Sequence, residues 1–218
     1  MKRPRIVRDG GHLTPIVGHI EPSRMNSDAV EGFAAMASVG QMETRLEAGI
    51  TVSDMTMDAA VAGRALVVIV DDRTAHGDAD STGPLVSELL LEAGFLVDGV
   101  VVVSNDEIDV RNALNTAVIG GVDLVVSVGG TGTSPRDVTP DATAEVLDRE
   151  LLGISEALRS SGLAAGSLDA GLSRGLAGVS GSTLVVNLAG SRAAVRDGMA
   201  TLTPLAAHVI GELSSLDG

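Results

Sequence analysis

At 218 residues, 44% of them hydrophobic, the chain is long enough for one or two domains with a sizeable core. The absence of cysteine excludes a disulfide framework, thiol catalysis and a cysteine-ligated metal. A net charge of −14, a single lysine (Lys2), no Trp or Tyr and only Phe33 and Phe95 exclude a general nucleic-acid binder, which needs clustered cations and stacking aromatics.

Residues 1–63 read as an N-terminal extension or arm. They hold six of the seven methionines (Met1, Met25, Met36, Met42, Met55 and Met57) and turn signals such as Gly10-Gly11 and Glu21-Pro22-Ser23. Ser27 to about Ala37 is expected as a short helix, and Leu46 to Met57 as an edge strand. Met is adaptable filler at contacts, so the arm packs on the main domain or a neighbouring subunit, docks another protein, or has no role. Lys2, Arg3 and Arg5 are not followed by an apolar stretch, and no apolar run approaches the ~20 residues of a membrane span. A cytoplasmic protein without a membrane partner is expected.

From residue 64 to 218 the pattern is regular. Residues 65–70 form an apolar strand ending at Asp71-Asp72. Gly83-Pro84 opens a helix that Gly94 closes, with Leu85, Leu89 and Leu90 on one face. Residues 97–103 are a second strand and 108–118 a second helix, with Ile108, Ala113, Leu114 and Ala117 inward. Residues 124–128 are a third strand. A helix is expected over 140–149 with Thr139 as its cap, and another turn of helix over 154–160. Residues 172–179 and 183–187 read as paired strands about Ser180-Gly181-Ser182. The last helix runs over 193–213, with Val195, Met199, Leu202, Leu205, Val209 and Leu213 in phase and Pro204 positioned to kink or split it. Alternating strands and helices predict an α/β three-layer sandwich with a mostly parallel sheet, its apolar strands covered on both faces.

Ligands in such sheets bind beyond the carboxyl ends of the strands. Four loops converge there: Asp71-Asp72, Ser104-Asn105-Asp106, the run from Gly129 to Asp137, and Leu188-Ala189-Gly190-Ser191. The third is the most informative. Gly129, Gly130, Thr131, Gly132, Thr133 and Ser134 present backbone N–H groups unscreened by bulky side chains, and a helix N-terminus behind them adds positive potential. That suits a phosphate. Arg136 supplies a cation for it, and Asp137 a carboxylate for a metal ion or a hydroxyl. The segment matches neither the P-loop nor the dinucleotide fingerprint. His12, His19, His76 and His208 lack ligand spacing and read as solvated or hydrogen-bonded, and Asp78 and Asp80 as a solvated loop. Adjacent Asp71 and Asp72 point apart, so one faces the site while the other caps a loop.

The run Gly129-Gly130-Thr131-Gly132, followed by Arg136-Asp137-Val138-Thr139-Pro140-Asp141-Ala142-Thr143, resembles the molybdenum-cofactor biosynthesis family of MoaB and Mog proteins and the gephyrin G domain. The likeness extends over residues 64–213, through Asp72, Gly77 and Ser81-Thr82-Gly83-Pro84, and through Leu172-Ser173-Arg174 and Gly181-Ser182-Thr183-Leu184. It implies molybdopterin as substrate, transfer of AMP from ATP to the molybdopterin phosphate with Mg²⁺, and a homotrimer or hexamer. Residue by residue it implies catalytic Asp137, Asp106 and Arg136, with Asp137 at the metal. It further implies substrate binding by Asp72, Gly129, Gly130, Thr131, Gly132, Thr133, Ser134, Gly190 and Ser191. The chain departs from the family at Asn105, where an Asp is usual, at Ala189 for Pro and at Asp71 for Ser. These departures leave open a second reading: a catalytically weakened relative that serves as a protein-binding regulatory or scaffold module through its arm.

Overall fold

The computed structural model describes residues 61–216, so the helix and edge strand expected within the N-terminal arm lie outside the described residues. In chain order the elements are β1 (Gly63–Val70), α1 (Asp72–Ala75), α2 (Gly83–Glu92), β2 (Phe95–Val103), α3 (Glu107–Ile119) and β3 (Leu124–Val128). There follow α4 (Thr139–Ala144), β4 (Arg149–Glu150), α5 (Leu152–Ala164), a 3-10 turn at Leu168–Leu172, β5 (Ala177–Ser180), β6 (Thr183–Leu188) and α6 (Arg192–Leu216). The strands form one sheet in the order β2-β1-β3-β6-β5-β4. The neighbours β2-β1, β1-β3 and β3-β6 are parallel, and β5 and β4 continue antiparallel.

Strand alternation assigns the layers. Ala65, Val67 and Ile69 of β1, with Leu124, Val126 and Val128 of β3, pack under α2, α5 and α6. Val68 and Val70, with Val125 and Val185, pack under α3 and α4. Both faces of the central strands are therefore covered, as crossover helices on both sides of a parallel sheet require. On the first face α2 contributes Leu85, Val86 and Leu90, and α6 contributes Val195, Met199, Leu202, Ala206 and Ile210. Pro204 is exposed, so α6 loses one internal hydrogen bond there and still runs on as one helix. The core is almost wholly aliphatic, with Phe95 its one fully buried aromatic among the described residues.

Several expectations are corrected. The edge strand β2 is not covered throughout, and leaves Leu96, Val100 and Val101 exposed. A shift in its register against β1 skips Asp98, whose carboxylate instead meets Arg64 at 2.5 Å. Ile108 points to solvent because it sits in the first turn of α3, ahead of the inward row of Val110, Leu114 and Ala117. The helix expected over residues 140–149 is only α4, six residues long, after which the chain turns to add Arg149 and Glu150 to the sheet edge. Strand β5 starts at Ala177, because Leu168–Leu172 coils into a 3-10 turn against α5. Asp80 does more than meet solvent: its Oδ1 accepts the N–H groups of Thr82 and Gly83 at 2.8 and 2.9 Å, closing the start of α2.

Leu114 is fully buried between α3 and the sheet, whereas Ile119, one turn on, is 87% exposed. Leu114→Ala is expected to lower unfolding free energy by about 2–5 kcal/mol. Ile119→Ala is expected to change it by less than about 0.5 kcal/mol. Urea unfolding curves of the two variants check both figures.

Candidate functional site

A cleft of about 960 Å³ opens at the carboxyl ends of β1, β3 and β6, within the range typical of ligand pockets. Its floor is the loop after β3. Gly129 is at φ +109°, and a Cβ there would stand 2.3 Å from the carbonyl oxygen of Val70. Only glycine permits this crossing of the β1 end by the chain. Gly130 is at φ +61°, and a Cβ there would meet Thr139 Oγ1 at 2.5 Å and Asn105 Oδ1 at 2.8 Å. The Gly129 N–H donates to Leu188 O at 3.0 Å, so the end of β6 holds the loop from the other side. The next four N–H groups, of Gly130, Thr131, Gly132 and Thr133, find no acceptor among the described residues. Buried or cleft-facing amides are normally paired, so four consecutive free donors beside a cleft mark a place for an anion.

A buried polar chain underlies the loop. Thr139 Oγ1 donates to Gly129 O at 2.8 Å and Thr143 Oγ1 to Thr139 O at 2.7 Å. Asn187, on β6, donates through Nδ2 to Thr143 Oγ1 at 2.9 Å and to Ser127 Oγ at 2.8 Å, while its Oδ1 accepts the Leu176 N–H at 3.0 Å. Thr139 therefore supports the loop from inside α4 and is not that helix's side-chain cap. Because α4 has only six residues, its dipole adds less to the anion site than a long helix would.

From above, Arg174 grips the same loop. Its backbone N–H donates to Thr131 O at 2.9 Å and its Nε to Gly132 O at 2.9 Å. The Nη groups reach the Asp141 carboxylate at 3.2 Å and the Asp137 carbonyl. Asp137 itself accepts the Ser134 N–H on Oδ2 at 2.8 Å, leaving Oδ1 without a partner among the described residues. Asp72 ties the loops laterally, accepting the Asn105 N–H at 2.9 Å and pairing with Arg136 at 2.5 Å. The Asn105 N–H, and after it the Arg136 guanidinium, hold the Asp72 carboxyl below the usual carboxylate range. Asp71 caps α1, accepting the Thr74 N–H at 2.9 Å and its hydroxyl at 2.7 Å; these two bonds, in that order, lower its pKa.

Of the residues singled out from sequence, Gly129, Gly130, Thr131, Gly132, Thr133, Asp137, Gly190 and Ser191 line the cleft together. Ser134, Arg136 and Asp72 stand beside it, joined to the loop and to one another by the bonds just described. Asp106 is placed elsewhere: its Oδ1 caps α3, accepting the N–H groups of Ile108 and Asp109 at 3.0 and 3.2 Å. Its neighbour Asn105 reaches the cleft instead, with an Oδ1 that is buried and unpartnered. Asp71, which caps a helix, also lines the cleft, whereas Asp72 does not. Among the described residues no three His, Cys, Asp or Glu side chains gather closely enough to enclose a metal by themselves. Sequence reasoning did not single out Asn187 and Thr143 for the site. An Asn closing an otherwise apolar strand, Leu184-Val185-Val186-Asn187, was the available signal.

The family profile described as "Probable molybdopterin binding domain" matches residues 66–208. The chain is similar to a molybdopterin biosynthesis protein of Mycobacterium abscessus whose crystal structure is known, with 74% identity and a TM-score of 0.71, covering 72% of this chain and 99% of that one. It is 37% identical to molybdenum cofactor biosynthesis protein B of Bacillus cereus, over 68% of this chain and 88% of that protein. It is 32% identical to a molybdopterin adenylyltransferase of Pyrococcus furiosus, over 66% of this chain and 87% of that protein. The chain also spans 59% and 46% of the length of two bifunctional molybdenum cofactor biosynthesis proteins that it matches. Among the described residues no helix is long and apolar enough to cross a membrane.

Gly129→Ala forces a methyl group against backbone, not against a movable side chain. It is expected to lower the thermal midpoint and to abolish anion binding at the loop, read by melting and by pyrophosphate titration. The two depressed carboxyls stabilise the fold above the unfolded-state value of about 3.9. That stabilisation is lost as pH falls through their lower folded-state values. Thermal midpoints taken from about pH 5 down to about pH 2 are therefore expected to drop less steeply in Asp71→Asn/Asp72→Asn than in the native protein.

Proposed function

The chain belongs to the MoaB/Mog family of molybdenum-cofactor biosynthesis proteins, and from that premise we propose that its cleft binds molybdopterin and ATP and joins AMP to the molybdopterin phosphate. The observation that carries this reading is the row of four free N–H groups, from Gly130 to Thr133, beside the free Oδ1 of Asp137 in one cleft. The similarity to a protein named molybdopterin adenylyltransferase supports the reaction class. In the reaction an oxygen of the molybdopterin phosphate attacks the α-phosphorus of ATP. A new phosphoanhydride bond forms, the α–β bond breaks, and pyrophosphate leaves with the electron pair.

Such chemistry asks a protein for positioning and for stabilisation of charge at the phosphoryl oxygens. The loop N–H groups supply fixed dipoles for a phosphate. Their directions are set in advance by Thr139 beneath and Arg174 above, so little reorganisation is needed when charge develops. Asp137 orients the incoming group through Oδ1. Arg136 acts through Asp72, holding the loop after β1 to the loop after β3.

Mg²⁺ is the cofactor that family resemblance implies, and the donors fit it. A magnesium ion bound with nucleotide takes one or two protein carboxylates and completes its shell with water and phosphate oxygens. Asp137 would hold it, and the buried, unpartnered Asn105 Oδ1 offers a further neutral oxygen in the same cleft. When bound, the ion supplies positive charge at the phosphates.

Asp137→Asn keeps the side-chain volume and an oxygen for the Ser134 N–H, but removes the charge. It is expected to cut adenylyl transfer by about 10²–10³-fold while leaving molybdopterin bound. Pyrophosphate release and formation of adenylylated molybdopterin measure the first, and equilibrium binding the second. Variant and native protein turning over at equal rates would dismiss the role.

A further inference from the structure

The four unpartnered amides of the glycine loop belong to four consecutive peptide units, and each unit also carries a carbonyl. Those carbonyls, from Gly129 to Gly132, are all taken, and by only two residues. Thr139 Oγ1 donates to Gly129 O at 2.8 Å, and the Thr139 N–H to Gly130 O at 3.1 Å. The Arg174 N–H donates to Thr131 O at 2.9 Å, and its Nε to Gly132 O at 2.9 Å. Along the loop the donors therefore run side chain, backbone, backbone, side chain. A peptide unit is planar, and in the trans form its C=O and N–H point in opposite directions. No cis peptide occurs among the described residues. Holding a carbonyl on one side thus aims the amide of the next residue to the other. The Thr139 hydroxyl aims the Gly130 N–H, the Arg174 Nε aims the Thr133 N–H, and the two backbone donors aim those of Thr131 and Gly132.

Neither Thr139 nor Arg174 lines the cleft, so both act on it through these peptide units. In other respects they differ. Thr139 is fully buried and lies ten positions after the carbonyl that it holds. Arg174 is 40% exposed and reaches the loop from the chain between the 3-10 turn and β5. Its Nη groups go to the Asp141 carboxylate at 3.2 Å and to the Asp137 carbonyl. A guanidinium is a rigid planar fork, so anchoring its Nη groups fixes the direction of Nε. Donors aimed in advance need no reorganisation when a charged group arrives. We propose that Thr139 and Arg174 are the positioning residues of the phosphate site, their side chains aiming its two outer amides and their backbones the two inner ones. The assignment rests on the phosphate reading of the loop given above and adds to it which residue aims which donor.

The test follows each loop amide by NMR in the full, isotope-labelled chain as inorganic pyrophosphate is added. In the native protein the amides of Gly130, Thr131, Gly132 and Thr133 are expected to shift together. Arg174→Lys keeps the charge and the backbone N–H but removes the Nε donor. Its Thr133 amide is expected to lose most of that shift while Gly130 keeps its own. Pyrophosphate is expected to bind about 3- to 10-fold more weakly, the loss of one hydrogen bond. Thr139→Val, matched in shape, is expected to show the mirror pattern, with Gly130 affected and Thr133 not, and Thr139→Ser to restore the native one. If Thr139→Val proves too unstable to measure, Arg174→Lys decides alone, because its side chain is partly exposed. A merely structural grip would move all four amides alike in either variant. That outcome, or an unaffected Thr133 in Arg174→Lys, would overturn the assignment alone. A native loop in which no amide responds to pyrophosphate would overturn the phosphate reading as well.

Discussion

The contact on which the site depends is the crossing of Gly129 over the end of β1. With the place of a Cβ only 2.3 Å from the Val70 carbonyl oxygen, the chain passes where no side chain fits. Everything around that crossing is arranged to keep it in place. Leu188 accepts the Gly129 N–H, Thr139 donates to the Gly129 carbonyl, and Thr143 and Asn187 carry the hydrogen bonding into the sheet. With Thr139 below and Arg174 above taking its carbonyls, the loop keeps the amides of Gly130 to Thr133 without partners among the described residues, and these residues line the cleft. A low-dielectric, fully paired support of this sort is stiff, and stiffness gives oriented dipoles their value to a charged ligand.

The carboxylates in the region divide their work by geometry. Asp71, Asp80 and Asp106 end as caps on the starts of helices, each occupied by neighbouring N–H groups. Asp72 and Asp141 end as counterions that fix arginines. Asp137 and Asp71 both line the cleft, and each keeps its Oδ1 without a hydrogen-bond partner among the described residues. The arginines beside them, Arg136 and Arg174, are engaged in holding loops together.

How much of this was legible in the sequence follows from the range of the interactions. The strand cores and the crossover helices were readable because Leu124–Val128 is a continuous apolar run and Leu114 and Ala117 keep helical spacing, although Ile108 was placed inward where Val110 is. The glycine loop was readable because glycines between a strand and a helix have few other uses. Residues placed by distant partners were not readable. Whether Asp106 or Asn105 faces the cleft is decided by α3, which takes the Asp106 carboxylate for its first turn. Asn187 looked like the end of a strand until β6 brought it beneath Thr143, 44 positions away in sequence. Arg174 stood out only through family likeness. Its meaning lies in three carbonyls and a carboxylate supplied by residues 131 to 141. The end of α4 was misjudged because Arg149 and Glu150 are recruited by the edge of β5, a demand that no local pattern announces.

The sheet order also bears on the sequence of events during synthesis. Strands β2, β1 and β3 are contiguous in the sheet and, among the described residues, are the first three in chain order. They carry the glycine loop on their last edge. Yet Arg174, Asn187 and Leu188, which grip that loop, emerge some forty to sixty residues after it. A nascent chain can therefore own most of its parallel sheet while its ligand loop is still untethered. The hydrogen bonds that hold the loop need Arg174 and the pairing of β6 with β3. A chain cut short before Arg174 would lack Arg174, Asn187 and Leu188, and with them the groups that hold the loop.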